Sequence, residues 1–357
     1  MSAHEGPLAM DGAVCPLPLP HDVTVVLGHG SGGQMTHDLV ARHFRRVLAN
    51  PALEQGDDAA VLPIPEGPGR LAITTDAHIV APLFFPGGDI GRLAVCGTVN
   101  DLAVMGARPL WLTAAFILEE GLPLATLDRV IESMHAAAEE AGVVLVAGDT
   151  KVAERGKADG VFISTAGVGW VPQGRDPSGR HARPGDVVLV SGSLGDHGIA
   201  VLEARGELGL ASDIQSDVAP IHGLVEALYQ VCTEVHVLRD PTRGGLATTL
   251  NEIARQSDVG IELQETAIPV RPSVQSACEL LGMDALYVAN EGKLVVFAAE
   301  AEAETALAAL RRTRYGEQAC VIGRVLSEPA GRVLVRTAIG GTRIVDMLAG
   351  EMLPRIC

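Results

Sequence analysis

Hydrophobic and polar positions along this chain predict short strands alternating with amphipathic helices. Residues 23–27 read as a strand running into the loop Gly28-His29-Gly30-Ser31-Gly32-Gly33, after which Leu39, Val40, Phe44, Val47 and Leu48 recur at helical spacing. Further strands are expected at 59–62, 71–75, 143–147 and 161–168, with helices at 89–104 and 124–141. Pro, Gly and Arg crowd residues 172–184 and predict a linker. The pattern then restarts with a strand at 186–190 and a helix at 196–205. Helices near 218–231, 245–256 and 302–312 alternate with strands near 259–263, 294–297 and 319–322. Such alternation predicts an α/β (α+β) layer fold in each of two domains, 21–175 and 185–341. Residues 1–20, with prolines at 7, 16, 18 and 20, are expected to be a disordered extension, and 342–357 a mobile tail. Extended at ~3.3 Å per residue, that tail reaches roughly 50 Å.

Composition narrows the reading. The length of 357 residues fits two domains, and 47% apolar residues allow large cores, although only 3% are aromatic, so Ala, Val, Leu and Ile must fill them. A net charge of −17 argues against nucleic acid or an anionic membrane as partner. No Lys or Arg precedes Arg42 and no apolar run approaches the ~18 residues of a membrane span, so a cytoplasmic protein is expected. Six scattered cysteines without a CxxC pair fit a reducing compartment, most of them acting as small buried hydrophobes.

The candidate chemistry is carboxylate-rich. Asp57 and Asp58 precede an apolar run, Asp76 ends one, Asp101 lies in a helix of small residues, and Asp149 follows a strand. An unpaired charge in such places is costly, and Mg²⁺ bridging carboxylates to phosphate would offset it. Taken singly, each is equally a cap or turn aspartate. The glycine loop at 28–33 could turn backbone N–H groups toward an anion, yet it lacks the Lys-Ser/Thr of a P-loop and the GxGxxG spacing. Lys151, one of only three lysines, follows Asp149 and could polarise a carbonyl or neutralise phosphate. Asp240 and two arginines precede Gly244-Gly245, and Glu291 sits in Asn290-Glu291-Gly292-Lys293, where it is either a base or a turn residue. The chain ends in Pro354-Arg355-Ile356-Cys357. A terminal thiol on a long tail suits a carrier arm, or is merely a frayed end.

Together, LGHGSGG, GDDAAVL, TTDAHIV, GRLAVCGTVNDLAVMGARP, GDTKV, GDVVLVSG, DPTRGGL, NEGKL and the terminal PRIC resemble the HypE family of hydrogenase maturation factors. That family belongs to the superfamily of aminoimidazole ribonucleotide synthetase, selenide water dikinase and thiamine-phosphate kinase. The resemblance runs from about Val23 to Cys357 and implies a two-domain synthetase-like fold and a homodimer binding Mg²⁺-ATP near its interface. It implies that the carbamoyltransferase HypF loads Cys357, that ATP-driven dehydration converts the carbamoyl group to thiocyanate, and that cyanide passes to iron on a HypC–HypD complex. It further implies nucleotide contacts at Gly30, Ser31, Gly32, Gly33, Asp58, Asp76, His78, Asn100, Asp101, Asp149 and Asp240. Asp57, Asp58, Asp76, Asp101, Asp149 and Asp240 are implied as metal ligands, with Lys151 and Glu291 catalytic beside Cys357. Two alternatives stay open: a small-molecule kinase or selenide-activating enzyme of the same superfamily, and a non-catalytic metallochaperone holding metal on Cys357.

Overall fold

The structure, a computed structural model, describes residues 21–55, 59–206, 213–348 and 355–357. Cys15, Asp57, Asp58 and the expected N-terminal extension lie outside the described residues.

The first half opens with α1 (Gln34–Leu39), which continues through a wider helical turn (Val40–Arg45) into α2 (Arg46–Leu48), followed by α3 (Pro51–Gln55). Strand β1 (Gly69–His78) and the short pair β2 (Phe84–Phe85) and β3 (Gly88–Asp89) lead to α4 (Ile90–Val104). Then come β4 (Arg108–Glu119), α5 (Leu124–Ala141), β5 (Val144–Ala153) and β6 (Val161–Pro172). Among the described residues, β1, β6, β4 and β5 form a sheet in that order, with β4 and β5 parallel and the other neighbours antiparallel.

Helices α4 and α5 cover one face of this sheet. Asp89 caps α4 by accepting from the N–H groups of Gly91 (2.8 Å) and Arg92 (3.1 Å). Helix α5 turns Leu127, Val130, Ile131, Met134 and Ala138 inward at helical spacing, and Gly142 ends it in a left-handed conformation with φ 67°.

The second half contains β7 (Val187–Val190), α6 (Asp196–Ala204), α7 (His222–Tyr229), β8 (Val235–Arg239), α8 (Gly245–Ser257) and β9 (Gly260–Gln264). It continues with α9 (Pro272–Leu281), β10 (Val295–Ala298), α10 (Ala303–Arg311), β11 (Cys320–Leu326), β12 (Arg332–Arg336) and β13 (Thr342–Val345). Its sheet runs β13-β12-β9-β11-β7-β10-β8. Leu246, Leu250 and Ile253 of α8 share a buried cluster with Val188, Val190 and Phe297. Leu224 and Leu228 of α7 share another with Leu189, Val296 and Leu310 of α10, so helices cover both faces.

The expected α/β layering is present in both halves, with local differences. Residues 23–27 form no strand; Thr24 makes one isolated bridge to Pro123 and Leu27–Gly30 coil into a 3₁₀ turn. Residues 59–62 are likewise not a strand, and Val61 is exposed. The segment 172–184 is packed down: Arg175 pairs with Glu226, and Ala182 is buried. Residues 342–345, expected as the start of the tail, are the sheet strand β13. Strand β4 was not expected, because Ile117 on its outer face is as apolar as Phe116 and Leu118 on its inner face and blurs the two-residue period.

Helix α4 joins the halves. Asn100 Nδ2 donates to the carbonyls of Ala219 (3.0 Å) and Glu291 (3.2 Å), while its Oδ1 accepts from Ile221 N–H (2.8 Å). Asn100→Ala leaves these groups unpaired at about 1–3 kcal/mol each. The expected result is a clearly lower midpoint in chemical denaturation of the whole chain.

Candidate functional site at the seam between the two halves

Strand β1 alternates, sending Thr74, Asp76 and His78 toward α4. Thr74 Oγ1 donates to Asp101 Oδ2 at 2.9 Å, and Asp76 Oδ2 lies 3.6 Å from His78 Nε2. Gly97 of α4 faces this pair: a Cβ there would meet His78 Cε1 at 3.0 Å and Asp76 Oδ2 at 3.2 Å, so the close approach calls for glycine. Burial lowers the His78 pKa and favours the neutral ring, against the opposing pull of Asp76. Burial also raises the Asp101 pKa, with the Thr74 hydrogen bond opposing and Asp76 adding to the rise.

The second half brings in two loops. After β8, Gly244 (φ 74°) and Gly245 (φ 60°) take left-handed conformations that turn the chain into α8. A Cβ on Gly245 would stand 2.5 Å from the Leu286 carbonyl, so the loop lies flat under 286–288 only with glycine there. Asp240 just before it is half-buried, and its pKa is pushed up to about 7 by desolvation and then by the nearby Asp101. Glu291 is raised well above the ordinary carboxylate range by burial, then by Asp217, Asp240 and Asp76, with Arg243 opposing. Asn290 knits the loops together, its Oδ1 accepting from Gly195 N–H (2.7 Å) and its Nδ2 donating to the Pro241 carbonyl (2.9 Å).

Into this seam comes the chain terminus. Ile356 is buried, Cys357 is half-buried against the first-half core, and both line a cavity of about 620 Å³. Ala77, Ile79, Arg243, Thr248 and Tyr287 form other parts of its wall. Arg243 therefore borders the cysteine cavity while acting electrostatically on Asp101, Glu291 and His78. Cys96, Cys232 and Cys278 are buried, as expected for packing residues, and burial pushes the Cys96 thiol up to about 12.

A second group of expected site residues lies elsewhere. A Cβ on Gly30 would stand 2.5 Å from Val152 N, which seats the glycine loop on β5. Ser31 Oγ donates to the Gly28 carbonyl (2.8 Å), and Gly32 N–H to Thr36 Oγ1 (2.9 Å). On the same strand Lys151 Nζ sits 3.2 Å from Asp149 Oδ2, both side chains exposed. Beside Asp149, an apolar cavity of about 220 Å³ is walled by Val40, Phe44, Leu48, Phe116 and Leu145.

The aspartates expected to hold metal fall at two places within one chain. Asp76 and Asp101 belong to the β1 edge and Asp149 to β5 at the opposite edge, with two strands between. At about 4.8 Å per strand that is ~14 Å, too far for one ion in one chain. Among the described residues no three acidic, His or Cys groups gather as a metal site. Asn100, expected to touch nucleotide, uses its amide to hold the halves together.

The chain was compared with known proteins. The family models for AIR synthase related protein match at residues 56–171 (N-terminal domain) and 183–336 (C-terminal domain). Carbamoyl dehydratase HypE of Azotobacter vinelandii is 55% identical over 334 residues, 94% of this chain and 97% of that protein. The chain belongs to the HypE family. HypE of Escherichia coli K12 is 46% identical over 93% of this chain and 99% of its own length. A crystal structure of HypE in complex with ATP superposes with a TM-score of 0.90 at 52% identity, over 94% of this chain and 100% of that one. A HypE–HypF complex matches with a TM-score of 0.76 at 48% identity, over 88% of this chain and 100% of that one. Thiamine-monophosphate kinase from Stenotrophomonas maltophilia, at 24% identity and a TM-score of 0.61, shares the HypE fold.

Sequence reasoning passed over several seam residues. Lys293 Nζ pairs with Asp217 at 2.9 Å, both buried; burial raises the Asp217 pKa, but Lys293 brings it below the ordinary range. His197 and Arg205 of the α6 segment contact the terminus. Their only sequence signal is a spacing of eight residues, two helical turns, which has no meaning until the tail's position is known.

The raised Asp240 pKa has a thermodynamic consequence. The folded chain holds its proton up to about pH 7, whereas an unfolded Asp releases it near ~3.9. The folded state binds more protons between these values, so Asp240 makes stability fall as pH rises through that window and level off above it. Asp240→Asn should therefore stabilise the cation-free chain progressively from pH 4 to pH 7, read as the difference in Tm between variant and parent.

Proposed function

We propose that this chain is an ATP-dependent carbamoyl dehydratase acting on its own Cys357, and that it supplies cyanide for the iron of a hydrogenase. One observation carries the reading: the terminal cysteine sits in a cavity bordered by Arg243, the same arginine that acts electrostatically on the raised Glu291. The identity to HypE proteins over nearly the whole chain supports the same reaction.

The chemistry is the conversion of an S-carbamoyl group to a thiocyanate. The carboxamide oxygen bonds to the γ-phosphorus of ATP as the bond to ADP breaks. The carbon–oxygen bond then breaks with phosphate as leaving group, and the nitrogen gives up both protons as the nitrile forms. Oxide would be a very poor leaving group, which is why nucleotide is required. Glu291, buried with a raised pKa, is suited to accept a nitrogen proton. Lys151 stabilises the negative charge that builds on oxygen and phosphate.

Lys151 and Cys357 meet between protomers of a homodimer. Leu71, Ile73, Ile117 and Val144 leave the outer face of the β1-β6-β4-β5 sheet apolar and exposed. Asp149 and Lys151 sit on β5 opposite Ala115 and Ile117, at positions that share this face. Packing two such sheets would bring β5 of one protomer toward the β1 edge of the other. The apolar cavity at Phe44 and Phe116 would take the adenine, and the glycine loop from Gly30 to Gly33 would border the phosphates.

Asp76, Asp101 and Asp240 do not gather as a ready-made ion site, and each is proposed to contribute to Mg²⁺ only together with phosphate oxygens. Burial first and neighbouring carboxylates second raise Asp101 and Asp240 in spite of the arginines nearby, which fits a divalent cation; when bound it would neutralise phosphate. Loading by HypF is supported by the solved HypE–HypF complex. Delivery to a HypC–HypD complex completes the proposal.

Intact-mass analysis provides the test. Cys357 should gain the mass of one carbamoyl group on loading and lose one water with ATP; a Cys357→Ala chain that still yields cyanide on iron would overturn the reading. Lys151→Ala should load normally and fail to dehydrate. Mixed dimers of Lys151→Ala and Cys357→Ala chains should regain activity, since one of their two sites pairs an intact thiol with an intact lysine. No regain would place both groups in one protomer.

A further inference from the structure

The carbonyls of the last three residues are all held. Ile79 N–H donates to the Cys357 oxygen at 3.1 Å and Ala81 N–H to the Arg355 carbonyl at 3.2 Å, so the terminus lies antiparallel along the extension of β1. Arg205 Nη2 donates to the same Arg355 carbonyl at 2.6 Å, while its Nε donates to the Ala81 carbonyl at 2.8 Å. His197 Nε2 lies 2.6 Å from the Ile356 carbonyl. The Arg355 side chain pairs with Asp159.

The groups that reach from the second half are periodic. His197, Val201 and Arg205 are spaced i, i+4, i+8 along one stripe of α6 and its C-terminal cap. Val201 shares a buried cluster with the Ile356 side chain. A carbonyl can only accept, so His197 Nε2 carries its proton, and Nδ1 accepts from Ser216 Oγ at 2.8 Å. Ser216 is itself fixed, its N–H donating to the Pro86 carbonyl at 2.8 Å and its Oγ accepting from Val218 N–H at 3.1 Å. Phe85 meets the imidazole edge-on at 5.5 Å between centroids. A histidine whose tautomer and plane are set on every side, aimed at one main-chain carbonyl, has the form of a docking contact.

We propose that His197 and Arg205 are positioning residues that latch the terminal tripeptide in the seam, gripping main-chain carbonyls so that Cys357 is presented to the carboxylates whatever its thiol carries. Both grips act on backbone, so exchanging thiol for S-carbamoyl or thiocyanate leaves them unchanged. The latch rests on the dehydratase reading for its purpose but not for its existence, and two readouts separate the two.

The first readout is the alkylation rate of Cys357 in the full-length chain, followed on the C-terminal peptide by mass spectrometry. The second is conversion of loaded Cys357 to thiocyanate on adding ATP. Loss of either grip should speed alkylation by up to about tenfold, the scale of one hydrogen bond. Conversion should slow by a comparable factor, with ATP affinity unchanged and loading no slower. Arg205→Ala tests one grip at a partly exposed helix end. His197→Phe tests the other, and His197→Gln should restore much of the effect because its amide can still donate to the Ile356 carbonyl. Faster alkylation with slower conversion in Arg205→Ala supports the latch. Unchanged alkylation, or slower conversion without faster alkylation, overturns it. If the parent chain carries a carbamoyl group on Cys357 and never dehydrates it, the dehydratase reading fails, while the alkylation result still decides the latch.

Discussion

The architecture turns on acidic side chains enclosed where the two halves meet. Carboxylates in a low-dielectric seam must be protonated, paired or matched by a cation, since a bare buried charge costs several kcal/mol. The chain uses different solutions side by side. Asp217 is ion-paired with Lys293, Asp196 is bonded by Ser193 and approached by Arg271, and Asp240 keeps its proton to about pH 7. Glu291 has one carboxylate oxygen without a hydrogen-bond partner among the described residues. Stability and reactivity are therefore in tension at one place. Asn100, whose amide ties α4 to second-half loops, and Asn290, whose amide ties loops within the second half, oppose the crowding that makes these groups chemically useful.

Much of this was legible in the chain, for identifiable reasons. Helix α5 carries clean helical periodicity and strand β7 is an unbroken apolar run, and the layered α/β class followed from alternation of such elements. Strand β4 was hidden because its outer face is nearly as apolar as its inner one. The run 23–27 was over-read: its residues have strand-like propensity, but they make only an isolated bridge at Thr24 before the 3₁₀ turn that begins at Leu27.

The candidate site divides along the same line. Asp76, Asp101, Asp240, Glu291 and Cys357 could be picked out because charged or reactive groups stood at unexpected positions. That Asp149 and Lys151 lie at the far edge of the sheet was not legible, because strand order is a long-range property. The open apolar sheet face and the separation of the two groups are two aspects of one arrangement. A four-stranded sheet covered by helices on one side leaves its other, apolar side exposed among the described residues.

The docked terminus also bears on how the chain exchanges its cargo. When the last three residues leave, the N–H groups of Ile79 and Ala81 and the apolar socket of Ile356 face water. Because the tail is tethered, its effective concentration at that groove is on the order of millimolar, far above any free peptide. Return is then fast and largely insensitive to competitors. The difficult event is departure, and a loading partner has to compete with an intramolecular ligand that never diffuses away.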